Sequence, residues 1–216
     1  MHKSIKNLEH INKELKLEIK EDSLPNIIAV SKTFSLPEIM PLVDYGHIHF
    51  GENKVQEAIA KWTEIKVKYP TIKLHLIGKL QTNKVKFAIK LFDYIHSVDS
   101  EKLARKIAEE ENKINKKIKI FIQVNIGEEE QKSGIKKDQL NDFYLYCKDL
   151  KLNVVGLMCI PPFEKDSIFY FKEMQNLTKN FKFSDLSMGM SSDYLEAVNY
   201  SSTYLRIGSS IFGQRS

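Results

Sequence analysis

The stretch Ile27-Ile28-Ala29-Val30-Ser31-Lys32-Thr33 contains the first predicted strand of the chain. Its four consecutive apolar residues, three of them β-branched, predict a strand buried on both faces, as in parallel sheets. The run stops at Lys32, where an ammonium group is costly unless it is paired or loses its charge. An uncharged lysine is a nucleophile toward carbonyl groups, whereas a solvated lysine at a strand end simply extends into water. The stretch alone leaves both interpretations open.

Strands and helices alternate on both sides of this stretch. Residues 5–19 place apolar side chains at helical spacing, and the chain after Lys32 alternates apolar runs with amphipathic segments. About eight predicted strands with helices between them favour an α/β fold, a single (β/α)8 TIM barrel, over an open doubly wound sheet. No linker divides the chain, so one domain is expected over residues 1–216, with residues 1–24 as an N-terminal helix packed on the barrel.

The composition argues against nucleic acid and membranes as partners. Lysine and arginine together number 33 against 28 acidic residues, yet only three are arginines: Arg105, Arg206 and Arg215. Lysines mixed with glutamates are typical of a solvated surface, whereas nucleic-acid binders rely on clustered arginine. No segment approaches the ~18 apolar residues of a membrane span, and residues 1–20 lack the apolar core of a signal peptide. A cytoplasmic protein is predicted, and a monomer, because no large exposed apolar surface is evident.

Two segments near the C-terminal end suit an anion. Residues 187–193 (SMGMSSD) and 206–213 (RIGSSIFG) each combine a strand end, a glycine and a serine-rich helix start. Backbone N–H groups and hydroxyls in such turns bind phosphate, although serines also cap helices for purely structural reasons. In barrels a phosphate site often forms in the loops after strands seven and eight, and these are those two loops. Together the two segments favour a phosphate site.

Arg206 lies within an apolar run in a chain that has few arginines. A buried guanidinium stays charged and needs an acceptor, which can be a partner carboxylate or a ligand. If Lys32, the serine-rich loops and Arg206 meet at one barrel mouth, they suit an aldehyde with a phosphate tail. Pyridoxal 5′-phosphate fits that description, with Lys32 forming the imine.

A series of motifs runs in order over almost the whole chain, within residues 27–213. The motifs are AVSKT at 29–33, FGEN at 50–53 with QE at 56–57, HLIG at 75–78 with LQ at 80–81 and NK at 83–84, KSG at 132–134, GLM at 156–158, SMGMS at 187–191, and RIG at 206–208 with IFG at 211–213. In these motifs the chain resembles a known family, the pyridoxal phosphate homeostasis proteins, and the resemblance is specific because the motifs occur together and in order.

The resemblance implies a barrel similar to the N-terminal domain of alanine racemase. It further implies a Schiff base between pyridoxal 5′-phosphate and Lys32 and a role in cofactor homeostasis, with apo-enzymes as candidate acceptors. The remaining site residues implied are Ser191, Gly208 and Ser209 at the phosphate, Arg206 at the pyridine nitrogen, and Asn53 and Met158 lining the pocket. One departure is Ser201, where the family usually has glycine, in the turn before the last strand.

An amino-acid racemase that uses the same cofactor is the alternative. Arginine at the pyridine nitrogen discourages ring protonation and so weakens the electron sink that racemisation needs, although alanine racemases share this arginine. Those enzymes also have a second domain that supplies an acid/base group, and no such domain follows residue 213 in this sequence. Weak or absent catalysis is therefore expected.

The histidine pattern offers a metal site as another alternative. His47 and His49 alternate on one predicted strand and could share an ion, and His75 and His96 lie on later strands. The late strands supply cysteine, serine and arginine rather than the histidine and acidic ligands of barrel hydrolases. Scattered, half-buried histidines without a metal are therefore expected.

Overall fold

A computed structural model of the chain describes residues 1–19, 24–162 and 166–214. Within these ranges eight parallel strands close into a barrel whose neighbours follow the chain order. The strands are β1 Asn26–Val30, β2 His49–Glu52, β3 Lys73–Leu76, β4 Tyr94–Val98, β5 Lys119–Gln123, β6 Asn153–Met158, β7 Asp185–Met190 and β8 Tyr204–Ile207. The helices described are α1 Lys3–Glu18, α2 Leu36–Asp44, α3 Val55–Lys68, α4 Val85–Leu91, α5 Glu101–Ile114, α6 Leu140–Asp149, α7 Ser167–Asn180, α8 Tyr194–Val198 and α9 Ser209–Phe212. The predicted (β/α)8 barrel is confirmed.

The first strand closes the barrel by pairing on both of its edges. Ala29 pairs with Phe50 of β2, and Ile27 pairs with Leu205 of β8, both in parallel. The four apolar residues of β1 are all buried, as a parallel strand covered on both faces requires. Lys32 therefore leaves the barrel at its carboxyl-terminal mouth, where barrel enzymes hold their sites.

The helix starts follow the capping signals in the sequence. At α2 the N–H of Ser35 donates to Glu38 Oε2 over 2.7 Å, the reciprocal half of a capping box. At α7 the carboxylate of Asp166 accepts from the N–H of Ile168 over 3.0 Å. Both helices begin at the residue that follows the cap. None of the helices within the described ranges is long and apolar enough to cross a membrane.

The N-terminal helix α1 packs outside the barrel against α2 and against α8 and α9, the last two helices of the chain. Leu8, Ile11 and Leu15 are buried on one face, as the helical spacing predicts. Asn7 donates from Nδ2 to the carbonyl oxygen of Ile211 in α9 over 2.8 Å. The helix ends at Glu18, and the rest of the predicted segment falls largely on residues 20–23, outside the described residues.

Several elements differ from the bounds that the sequence pattern predicts, among them two strands and a helix. Strand β2 begins at His49 rather than at residue 47. Residue 47 still belongs to the turn after α2, because its N–H donates to the carbonyl oxygen of residue 42. Strand β5 ends at Gln123 rather than at residue 126, because Val124 bridges to Ile135 and the N–H of Asn125 donates to the Ile135 carbonyl instead of to β6. Helix α8 is shorter than the predicted 191–200, because a turn occupies residues 190–193.

Candidate functional site

A cavity of about 460 Å³ lies at the carboxyl-terminal mouth of the barrel. This volume lies within the range of about 300–1,000 Å³ that is usual for small-molecule pockets. Six of the seven residues that the sequence singled out line it: Lys32, Asn53, Ser191, Arg206, Gly208 and Ser209. Residues distant in sequence thus meet at one mouth, because every strand contributes its carboxyl end.

Met158 is the exception among the seven residues. Its side chain is fully buried and packs in the barrel interior against Tyr94, Phe121 and Tyr204. It pairs in the sheet with Ser187, which is also fully buried, so this level of the barrel is filled with side chains. The apolar wall of the cavity comes from other residues: Val30, Phe34, Ile77, Ile160 and Met190.

The loop that carries Lys32 is fixed by a lysine from a different element. Lys61 of α3 donates from Nζ to the carbonyl oxygens of Ser31, over 2.9 Å, and Phe34, over 3.3 Å. The Phe34 ring also stacks on Phe212 of α9, with ring centroids 4.7 Å apart. These contacts secure the backbone on both sides of Lys32, whose side chain is partly buried in the cavity wall.

Thr33, next to Lys32, has a φ of 68°, in the left-handed region that β-branched residues rarely adopt. Its N–H donates to Glu57 Oε1 over 2.6 Å, and Lys61 lies 2.8 Å from the same oxygen. Burial raises the pKa of Glu57, but hydrogen bonds from Lys61 and Thr33 outweigh it and lower that pKa overall. A charged carboxylate on α3 therefore holds the strained residue of the loop in place.

A second carboxylate lies beneath the same loop. Glu52, at the end of β2, is fully buried, and its Oε1 accepts from the Ser31 hydroxyl over 2.8 Å and from Trp62 Nε1 over 3.0 Å. Lys61 Nζ lies 2.8 Å from the same oxygen. Lys61 therefore neutralises a buried charge and supports the Lys32 loop at the same time.

The predicted anion segments meet at Ser191. Its Oγ accepts from the backbone N–H groups of Gly208, over 3.2 Å, and Ser210, over 3.3 Å. On the other side, the N–H of Met190 donates to Asp193 Oδ1 over 2.6 Å and closes the turn after β7. Hydroxyls and amides from the loops after strands seven and eight thus converge at one wall of the cavity, which suits a phosphate group.

Arg206 is the buried cation of the cavity, with 5% of its surface exposed. It donates from Nη1 to Ser187 Oγ over 2.6 Å and from Nη2 to the carbonyl oxygen of Cys159 over 2.8 Å. Among the residues that the structure describes, no carboxylate oxygen lies within 4.0 Å of its guanidinium. Burial lowers the pKa of Arg206, but a guanidinium remains protonated at neutral pH. Of the two acceptors that the sequence left open for Arg206, a partner carboxylate or a ligand, the described residues do not supply the carboxylate.

The prediction of scattered histidines was wrong. Three of them form, with Ser187, a continuous hydrogen-bonded series through the barrel interior, which we call the histidine series: Ser187, His96, His75 and His49. All four side chains are buried, and burial lowers the pKa of each imidazole. His47, considered as a metal ligand beside His49, instead places Nε2 2.9 Å from the His49 carbonyl oxygen. Among the described residues, no three His, Cys, Asp or Glu side chains are arranged so that they could hold one metal ion.

Sequence reasoning missed two features of the site, the contacts of Lys61 with the Lys32 loop and the histidine series, although the sequence contains a signal for each. Glu57 and Lys61 are four residues apart on a helix, which predicts a side-chain pair but not the backbone carbonyls that Lys61 reaches. His75 and His96 are each the third residue of a strand, which gives them the same parity and the same inward face. Only the register of the closed sheet reveals that their rings touch.

Comparison with known proteins agrees with this fold. The family model of the alanine racemase N-terminal domain matches residues 5–216. The pyridoxal phosphate homeostasis protein of Aquifex aeolicus (strain VF5) is 34% identical over 218 residues, covering 96% of this chain and 95% of that protein. That of Vibrio cholerae (serotype O1, strain El Tor Inaba N16961) is 34% identical over 224 residues, covering 97% and 95%.

Solved structures show the same likeness. PipY of Synechococcus elongatus PCC7942, solved without PLP, superposes with a TM-score of 0.87 at 32% identity over 98% of this chain and 100% of PipY. PipY with PLP bound gives a TM-score of 0.85 at 32% identity over 97% and 100%. An alanine racemase of Clostridium difficile shares the fold, with a TM-score of 0.73 at 16% identity over 97% of this chain and 57% of that protein.

The fold and the family model define the class of protein, and the full-length relatives define the group within it. The chain belongs to the alanine racemase N-terminal domain family and, within it, to the pyridoxal phosphate homeostasis proteins.

Proposed function

We propose that this chain binds pyridoxal 5′-phosphate as a Schiff base on Lys32 and takes part in intracellular pyridoxal phosphate homeostasis. The observation that carries the proposal is a single cavity lined by a lysine, an arginine and three serines. The amine of Lys32 would condense with the aldehyde carbon, whose oxygen leaves as water. The relative PipY, 32% identical, has been solved with PLP bound.

The polar groups of the cavity fit the remaining parts of this cofactor. Ser191, Gly208 and Ser209 would lie at the phosphate, since hydroxyl and backbone amide groups of the two loops meet at this wall of the cavity. Arg206 would donate to the pyridine nitrogen, and Asn53 would line the ring pocket. The bound cofactor supplies the electron sink for amino-acid chemistry, and an arginine donor at its ring nitrogen weakens that sink.

A binding and balancing role is preferred over an amino-acid racemase. The curated relatives at about one-third identity are named homeostasis proteins, whereas the likeness to alanine racemases is one of fold. We further propose that the described barrel and α1 belong to one domain, that the protein is a cytoplasmic monomer, and that apo-enzymes accept the cofactor from it.

A titration of the purified protein with pyridoxal 5′-phosphate, followed by absorption and equilibrium dialysis, tests binding. One equivalent bound per chain is expected, and no binding above that of an unrelated lysine-rich protein would contradict the proposal. Exchange of the α-proton of several amino acids in heavy water tests the racemase alternative. Exchange no faster than with the cofactor alone is expected, and sustained turnover would establish an enzyme.

A further inference from the structure

A line of hydrogen bonds crosses the barrel from Arg206 at the cavity to His49 at the start of β2. Arg206 Nη1 lies 2.6 Å from Ser187 Oγ, which lies 3.0 Å from His96 Nδ1. His96 Nε2 lies 2.9 Å from His75 Nδ1, and His75 Nε2 lies 2.9 Å from His49 Nδ1. The histidine series thus connects the cavity to the opposite end of the barrel.

The chemistry of the groups gives this series one direction. A guanidinium only donates, so Ser187 Oγ accepts from Arg206. Among the described residues His96 Nδ1 is the one acceptor within hydrogen-bond distance of this hydroxyl, so the Ser187 proton is directed to it. A neutral His96 then carries its proton on Nε2 and donates to His75 Nδ1, and His75 in turn donates from Nε2 to His49 Nδ1. Every bond of the series therefore points away from Arg206.

The surroundings of the rings favour the neutral form throughout. The His75 ring stacks on Tyr94, with centroids 4.2 Å apart, and the His96 ring stacks on Phe121 at 4.3 Å. Both imidazoles are fully buried. A proton added to His75 Nδ1 would face the Nε2–H group of His96. A proton added to His96 Nδ1 would face the hydroxyl proton of Ser187 and would also lie near the charge of Arg206.

Because all the hydrogen bonds of the series point in one direction, the dipoles of the Ser187 hydroxyl and the three imidazoles add up. The negative end of the summed dipole lies next to the Arg206 guanidinium. We infer that the histidine series consists of positioning residues for Arg206, which take the place of a carboxylate counter-ion and leave guanidinium N–H groups for a neutral acceptor in the cavity. That acceptor is an unprotonated ring nitrogen or a group of the same kind. The ligand part of this inference rests on the proposed function, whereas the direction of the series does not.

Nitrogen-15 NMR of the histidine rings in the protein without cofactor tests the direction. The expected result is one tautomer at His96, His75 and His49, protonated on Nε2 and unprotonated on Nδ1. A proton on Nδ1 of His96, or a charged ring in the series at neutral pH, would overturn the inference. Because no cofactor is added, this result does not depend on binding.

Two serine variants test the link to the ligand. Ser187→Ala leaves Arg206 and His96 without their shared partner, so release of pyridoxal 5′-phosphate is expected to become about tenfold faster, with a shifted absorption band. Ser202→Ala is the matched control, because Ser202 is also buried but bonds only to backbone carbonyls, including that of Met188 over 2.7 Å. Equal release from both variants at the wild-type rate would overturn the inference.

Variants at His49, the member of the histidine series farthest from Arg206, test the inference even if Ser187→Ala does not fold. His49→Gln retains an acceptor for His75, whereas His49→Leu removes it. The ring nitrogen shifts of His75 and His96 should stay in place in the first variant and move in the second. Unmoved shifts in His49→Leu would overturn the inference. Failure of the wild-type protein to bind pyridoxal 5′-phosphate would contradict the proposed function. The NMR result would still decide whether the hydrogen bonds of the histidine series point away from Arg206.

Discussion

Lys61 of α3 donates from Nζ to the carbonyl oxygen of Ser31 over 2.9 Å, one residue before Lys32. The same ammonium lies 2.8 Å from the fully buried carboxylate of Glu52. One side chain of a helix therefore couples the charge balance of the barrel wall to the backbone position of the proposed nucleophile.

Replacing Lys61 by methionine should affect both stability and reactivity. Removing one partner of a buried ion pair leaves the charge of Glu52 uncompensated, which costs about 3–5 kcal/mol of unfolding free energy. The loop around Lys32 would lose its bonds at Ser31 and Phe34, so we expect a slower reaction with pyridoxal 5′-phosphate. Urea denaturation and the rate of cofactor attachment measure the two effects.

Lys66→Met is the matched control for this variant. Lys66 lies on the same helix and pairs with Asp93 over 2.6 Å, with both side chains more exposed than those of Lys61 and Glu52 and with no bond to the Lys32 loop. It should lose stability and keep the wild-type rate of attachment. Equal rates in Lys61→Met and Lys66→Met would show that Lys61 does not position the loop.

Gly78→Ala should disturb the cavity at Asn53. A Cβ at Gly78 would lie 2.4 Å from the backbone oxygen of Asn53 and 2.8 Å from its Cα, so one strand end must shift. We expect a loss of about 1–3 kcal/mol in unfolding free energy, typical of overpacking, together with weaker cofactor binding. Gly208→Ala, whose Cβ would stay 3.4 Å from Val30, should keep wild-type stability. Equal thermal midpoints for the two variants would count against the steric argument.

Ser191→Ala should weaken binding of the phosphate end. Its hydroxyl orders the N–H groups of Gly208 and Ser210, so its loss is expected to raise the dissociation constant of pyridoxal 5′-phosphate about tenfold. Ser192 also lines the cavity and provides the control, since it makes neither of these bonds. Pyridoxal without the phosphate should bind Ser191→Ala and wild type alike, and a tenfold loss for it too would contradict the assignment.

Acid should destabilise the fold through its buried histidines. Burial lowers the pKa of His47 and His49 to about 4 and the pKa values of His75 and His96 well below their usual range. In the unfolded chain these histidines bind protons near pH 6.5, whereas in the folded protein they stay neutral until about pH 4. The unfolding free energy is therefore unaffected by them above pH 6.5 and decreases as the pH falls from 6.5 toward 4. Each such histidine contributes a slope of about 1.4 kcal/mol per pH unit.

Urea denaturation between pH 7 and pH 5 measures this slope. We expect the midpoint to fall steadily over that range. His10→Gln is the control, because the His10 side chain is 71% exposed and should leave the slope unchanged. A midpoint that is constant down to pH 5 would mean that the interior histidines are not held neutral.

The sequence predicts those features whose causes are local. The β-branched run of β1 and the regular alternation of strands and helices are sufficient to predict the barrel and the mouth that Lys32 occupies. Met158 could not be placed, because whether an inward residue lines a cavity or fills the interior depends on its level in the closed sheet.

The histidine series shows the same limit more strongly. Its members come from strands β2, β3, β4 and β7, and Ser187 and His96 are 91 residues apart in the chain. Strand parity predicts an inward face for each of them, but the contact between two rings depends on barrel register. Long-range hydrogen bonds of this kind leave no periodic signal in the sequence.

The attachment point of the cofactor tests the central claim most directly. The protein is incubated with pyridoxal 5′-phosphate, its visible absorption is recorded before and after borohydride reduction, and the modified peptide is identified by mass spectrometry, with Lys32→Ala in parallel. We predict a visible band that collapses on reduction, the added mass on Lys32, and no adduct in Lys32→Ala, which should remain folded. The same adduct in Lys32→Ala, or added mass on another lysine alone, would contradict the account.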